Sequence, residues 1–269
     1  MVVGKRRSRF IYRACFRPNQ LEDMNQLGDS PSVDGRVLGY AQTWHRVNPD
    51  YNNRCIANEY ISGRIGIFLG LPIPPFAITH DKDENVYFSS LDFNFNRAIL
   101  PPIVPDRCVA CLPELCTGIL LFDILIANED RHEANLVTDS VSSPKFIHVY
   151  DHDQALLSGR NSEGVRRLKT LWDHLGITGG SMGGNRHVFL DLLSNAGLFS
   201  LWEERIDSIP NWFIDEACDY AESELDVTPE ESKTLNAFLK HRKVRISDII
   251  KSNRDEFKGI TNWPTGLFQ

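Results

Sequence analysis

Three residues, Asp130, Asn135 and Asp151, are of types and at spacings that could do chemistry together. The first two lie in FDILIANEDRHEANLV, residues 122 to 137, and the third in IHVYDHD, residues 147 to 153. Phosphoryl transfer from ATP needs a carboxylate that receives or orients the proton of the attacking hydroxyl. It also needs hard oxygens that hold the magnesium neutralising the nucleotide phosphates. Asp130 fits the first role, and the Asn135 amide oxygen and Asp151 carboxylate fit the second.

The surrounding pattern predicts the elements that must position these side chains. Leu115, Ile119, Leu120, Leu125 and Ile126 form the apolar body of a helix that gives way to a polar loop at Asn128. NLVTD then reads as a strand, Ser142, Ser143 and Pro144 as a turn, and KFIHVYDHD as the returning strand, which brings Asp151 back beside the loop. Alternation along that strand points His152 away from the face shared by Asp151 and Asp153. Upstream, a helix is expected to begin near Asn58, with Ile61, Ile65, Phe68 and Leu69 on one stripe, and to stop at Gly70 before Leu71 and Pro72. RFIYRACF, RVLGYAQTW and NVYFSSLDF read as strands, and ILPPIVP, residues 99 to 105, as a connector. HVFLDLLSNAG, NWFIDEACDYAESEL and PEESKTLNAFLKHRK show helical spacing with ends at Gly197, Pro210 and Pro229. The class is therefore α+β, with the strands early and the helices late.

Residues 55 to 157 resemble the HipA-like kinase family. The N-x-D-x-H-x-x-N loop of that family appears as Asn128, Asp130, His132 and Asn135, and its strand end as Tyr150, Asp151 and His152. The segment ANEYISGRIGIFLGLPIPPFAI, residues 57 to 78, is similar to the family's helix that opens on an Asn-Glu pair and ends in G-L-P-x-P. An Asp, then an Asn, then an Asp closing an apolar strand is also the order of kinase catalytic and metal-binding loops. The resemblance implies a two-lobed protein kinase-like fold, with a β-rich, nucleotide-binding N-lobe over residues 1–90 and a mainly helical C-lobe over 91–269. It implies ATP and Mg2+ as cofactors, a protein serine as acceptor, and a toxin or growth-regulating role.

The sequence departs from the family in its N-lobe. Kinases place a lysine there that meets the phosphates and a helix glutamate, here Glu59. No lysine lies between Lys5 and Lys82. Arg46 and Arg36 are the cations closest to the expected strand, and Arg46 is the candidate replacement, although its planar fork has a different reach from an ammonium. A nucleotide-binding pseudokinase that serves as an interaction module is therefore an alternative. So is a phosphoinositide or other small-molecule kinase, since those enzymes use a similar D-R-H-x-x-N loop.

Composition bounds the remaining choices. A 269-residue chain with 42% hydrophobic residues can bury a sizeable core, and its net charge of −7 argues against broad nucleic-acid binding. With no signal-like leader and no apolar run long enough to span a bilayer, a cytoplasmic protein is expected. Residues 1 to 17 carry Lys5, Arg6, Arg7, Arg9, Arg13 and Arg17 without an acid, as a solvated edge or a contact for an acidic partner. Cys108, Cys111 and Cys116 lack a fourth zinc ligand nearby and read as reduced thiols. LGDSPSVDG, residues 27 to 35, is the candidate nucleotide-covering loop. GITGGSMGG, 176 to 184, reads as a mobile loop in the place of an activation segment, with Thr178 and Ser181 as modification candidates.

Overall fold

The computed structural model describes residues 43–94, 99–158, 163–178, 186–261 and 263. The expectations for RFIYRACF, the basic segment 1 to 17, LGDSPSVDG, most of RVLGYAQTW and the glycines after Thr178 lie outside the described residues. What is described is a mixed α/β chain, with a small sheet and one helix followed by a mostly helical region.

The sheet comprises β1 (Thr43–Arg46), β2 (Phe76–His80) and β3 (Val86–Leu91), in the order β1-β3-β2 and antiparallel throughout. Arg46 sits opposite Phe88 at the end of β1. The FAITH stretch that forms β2 has no clean alternation of burial, and it pairs because the turn at Asp81 closes the hairpin. The Asp81 carboxylate accepts bonds from the Asn85 and Asp83 backbone N–H groups and from the Tyr87 hydroxyl.

Between β1 and β2 runs α1 (Cys55–Phe68). It begins three residues before the expected start at Asn58, which puts Glu59 in its second turn rather than its first. Its end matches expectation: Gly70 has φ of 77°, and the Gly70 and Leu71 N–H groups bond back to the Ile67 and Gly66 carbonyls. Most of α1 is buried, polar residues Asn58, Glu59 and Ser62 included. Burying such groups on a helix is costly unless each is bonded, and Asn58 and Glu59 are bonded to the site described below.

The connector from Ile99 runs along the next hairpin, with the Ile103 N–H bonding Leu136 and the Thr138 N–H bonding Pro101. It feeds α2 (Pro105–Cys111) and α3 (Pro113–Leu125), each opened by a proline where the missing N–H costs nothing. Every residue of α3 from Cys116 to Leu125 is buried, as a helix apolar all round must be. Cys108 and Cys116 are buried free thiols in this part of the core. The hairpin itself is β4 (Leu136–Thr138) against β5 (Ile147–Val149), antiparallel, with Leu136 opposite Val149.

After the hairpin come α4 (Glu163–Thr170), α5 (Phe199–Asp207), α6 (Asn211–Glu224) and α7 (Pro229–Ser252). Thr228 and Glu231 form a reciprocal capping box that starts α7. HVFLDLLSNAG is not the expected helix. Leu190 and Leu192 bond back only three residues, the His187 ring accepts the Phe189 N–H, and Asn195 caps a short 3-10 turn at Ala196–Leu198. Side-chain acceptors there compete with helical bonding despite the apolar spacing. Ile61 and Ile65 of α1 belong to the same buried cluster as Ile119 of α3 and Leu235 of α7, so helix and C-terminal region share one core. No single helix among the described residues is long and apolar enough to cross a membrane.

Candidate active site

The loop after α3 is shaped by a buried polar knot. The Asp123 carboxylate takes two bonds from Arg131, one from the Asn128 amide and a contact of 3.0 Å from His187 Nε2. Asp123, Arg131 and His187 are all out of water. Burial alone would raise the Asp123 pKa, but the Arg131 charge and the His187 bond outweigh it and hold the carboxyl well below its usual range. Arg131 then reaches the Asn135 and Tyr150 carbonyls, tying the loop to the end of β5. Asn128 accepts the Asp130 N–H at 3.2 Å, and the Asn135 amide donates to the Asp130 carbonyl at 2.8 Å.

Asp130 is therefore held by its backbone while its side chain remains 41% exposed, with His132 Nε2 4.0 Å from its carboxylate. Partial burial raises its pKa; nearby Asp151 adds to the rise, whereas His132 opposes it. A carboxylate so placed can orient or receive a hydroxyl proton. The bond to the Asp130 carbonyl occupies the Asn135 nitrogen, which leaves its amide oxygen as the end available to a cation.

At the end of β5 the chain turns sharply, and Asp151 has φ of 67°. Aspartate tolerates this left-handed conformation better than most residues. The turn sends Asp151 and Asp153 toward β1, where Arg46 meets three carboxylates. Its Nε is 3.0 Å from Glu59, its Nη2 is 2.8 Å from Asp151, and its Nη1 is 3.4 Å from Asp153. Burial would lower the Arg46 pKa, yet Glu59, Asp151 and Asp153 together drive it above its ordinary value. Burial, reinforced by Asp151, pushes the Asp153 carboxyl up to about 7.

Sequence reasoning missed the residues that carry this turn against α1. Asn52 and Asn58 both donate to the Asp153 carbonyl, at 2.7 and 2.9 Å, and the Asn58 oxygen accepts the Leu157 N–H. His152 contacts Glu59 Oε2 through Nδ1 at 3.1 Å; because β5 ends at Val149 and Asp151 is left-handed, the alternation expected of a strand does not extend to it. Arg167 of α4 donates to the Ala127, Gln154 and Leu156 carbonyls and pairs with Glu129, thereby linking the loop to the segment beyond Asp153. Asparagines and arginines that bond to backbone carbonyls across the fold leave no spacing signal in a sequence.

The donor set suits a magnesium ion. One carboxylate, Asp151, and one amide oxygen, Asn135, supplemented by nucleotide phosphates, is how that ion is usually held, rather than in an all-protein cage. No cluster of three or more His, Cys, Asp or Glu side chains able to hold a metal occurs among the described residues. One guanidinium, Arg46, faces three acidic side chains, so this cluster carries more acids than bases.

No protein-family model and no curated protein matches the chain. Among solved structures, it is similar to the Helicobacter pylori proinflammatory kinase CtkA, at 14% identity and a TM-score of 0.52, over 88% of this chain and 97% of that one. It also aligns with HipA of Shewanella oneidensis, solved with HipB and operator DNA, at 12% identity and a TM-score of 0.40, over 92% of this chain and 70% of that one. The likeness to CtkA is one of fold, and it relates this chain distantly to kinase-like structures.

Proposed function

We propose that the chain is a two-lobed kinase that moves the terminal phosphate of ATP to a hydroxyl acceptor, with a protein serine as the acceptor that best suits its chemistry. The observation that carries this reading is the position of Arg46. It bridges Glu59 on α1 and Asp151 after β5, as a kinase's N-lobe lysine would stand between helix glutamate and metal-binding aspartate. The kinase-like fold and the half-buried Asp130 near Asp151 support it.

In this reading Arg46 presents positive charge to the nucleotide phosphates while Glu59 keeps its guanidinium in place. Asn135 and Asp151 would hold magnesium, which when bound would neutralise the phosphate oxygens. Asp130 orients the acceptor hydroxyl and takes its proton as the oxygen attacks. The buried knot around Asp123 fixes the loop, so that Asp130 and Asn135 keep their mutual geometry without help from substrate.

A second reading rests on the same ion pair. Arg46 already neutralises Asp151 at 2.8 Å, and a protein in which that bond persists would bind nucleotide without transferring phosphate and act as an interaction module. Incubation with γ-labelled ATP, magnesium, serine-containing peptides and inositol-lipid vesicles separates the cases. Label on peptide or on the protein itself, lost in Asp130→Ala and in chelator, supports the protein kinase. Label on lipid alone points to a lipid kinase, and nucleotide binding with no transfer favours the module.

A further inference from the structure

His152 takes no part in the chemistry described so far, yet it is buried at the centre of the site. The residue is 1% exposed, and Phe122 packs edge-on against its ring at 5.6 Å between centroids. Its Nδ1 lies 3.1 Å from Glu59 Oε2, and its Nε2 is buried with no hydrogen-bond partner among the described residues. The other Glu59 oxygen, Oε1, faces Arg46 at 3.0 Å. That contact is one of charge rather than of well-aligned hydrogen bonding, so Arg46 alone does not fix the rotation of the carboxylate.

We propose that His152 is a positioning residue for the phosphate-binding cation: its Nδ1–H holds Glu59 Oε2, and thereby turns Oε1 toward Arg46. The inference rests on the kinase reading for what Arg46 binds, but the geometry stands independently. Glu59 is an ionised acceptor, since Arg46 and His152 together outweigh burial and hold its carboxyl below its ordinary value. The proton of the bond therefore belongs to Nδ1.

The three residues of the turn then act as one device. Asp151 and Asp153 grip the guanidinium directly, while His152 between them grips the glutamate that guanidinium also meets. Asn52 and Asn58 anchor the backbone of the turn through the Asp153 carbonyl. Movement of the turn relative to α1 would loosen both ends of the Arg46–Glu59 pair at once. A histidine, rather than an apolar residue, at a position packed on Phe122 is explained by this bond.

Asparagine and glutamine provide the test, because an asparagine amide nitrogen overlays Nδ1 of a histidine and a glutamine amide nitrogen overlays Nε2. Affinity for ATP with magnesium is measured by calorimetry on the full chain, which requires no turnover, alongside apparent KM and kcat where transfer occurs. A bond to a charged acceptor predicts that His152→Gln and His152→Ala weaken ATP binding on the order of 10-fold or more. His152→Asn should recover most of that loss, and melting temperatures of the Asn and Gln variants should agree. Equal ATP affinity in all four proteins, or equal losses in Asn and Gln, overturns the positioning role and leaves the kinase reading intact. Failure of the parent protein to bind ATP overturns both.

Discussion

The carboxylate of Asp123 meets the guanidinium of Arg131 in two places, at 2.8 and 3.1 Å, with both side chains sealed from water. Because Arg131 directly follows Asp130, this pair anchors the loop that carries Asp130. Removing one partner of a buried pair strands the other's charge, and Asp123→Ala should cost about 3–5 kcal/mol of stability. Urea unfolding measures it; a loss below about 1 kcal/mol would show that the loop is held by other means.

Asp130→Ala should behave in the opposite way. Its side chain is 41% exposed and its ionisable contact, His132, lies 4.0 Å away, so unfolding midpoints should move little. Phosphate transfer, however, should fall on the order of 10²–10⁴-fold, as for a positioned acid–base group. An unchanged turnover rate would remove Asp130 from the mechanism.

Arg46 should not be replaceable by lysine. The guanidinium reaches Glu59, Asp151 and Asp153 through three different nitrogens, whereas an ammonium offers one point of charge. Arg46→Lys and Arg46→Ala should both raise the apparent KM for ATP, and Glu59→Gln should give a related defect because it removes the charge that Arg46 meets. Steady-state kinetics over a range of ATP concentrations decides this, and a lysine variant with parental KM would count against the three-way contact.

Asp153 gives a pH signature. Burial and Asp151 raise its carboxyl to about 7, against about 3.9 in an unfolded chain. Between those values the folded state binds the extra proton, so the contribution of Asp153 to stability declines as pH rises from about 4 to about 7 and is level beyond. Relative to the parent, Asp153→Asn should therefore gain stability across that window. Denaturation midpoints of both proteins from pH 4.5 to 8.5 test the sign, and a gap that is constant with pH would refute it.

The loop and hairpin that hold Asp130, Asn135 and Asp151 were legible because they are local: an apolar helix, a polar loop and two short strands follow one another between Pro113 and Val149. Arg46 was legible only as one of the cations closest to an expected strand, and the structure brings it onto Glu59 and Asp151. Asp123 gives no signal in the sequence, because its partners Arg131 and His187 meet it only in the fold. HVFLDLLSNAG misled because its apolar spacing suits a helix, while His187 and Asn195 supply acceptors that hold its backbone in turns. Asn52 and Arg167 act on carbonyls about a hundred and about forty residues away in the chain, a relation that periodicity does not carry.

The bend at Asp151 also filters which side chains this position accepts. At φ of 67° a β-branched residue is excluded by its own backbone, and alanine is strained, whereas asparagine and glycine fit. An alanine here would therefore mix two injuries, a lost charge and a distorted chain direction. Asparagine separates them, retaining the handedness of the turn while deleting the carboxylate. The stereochemistry of one backbone angle thus allows the electrostatic and the architectural duties of a single aspartate to be told apart.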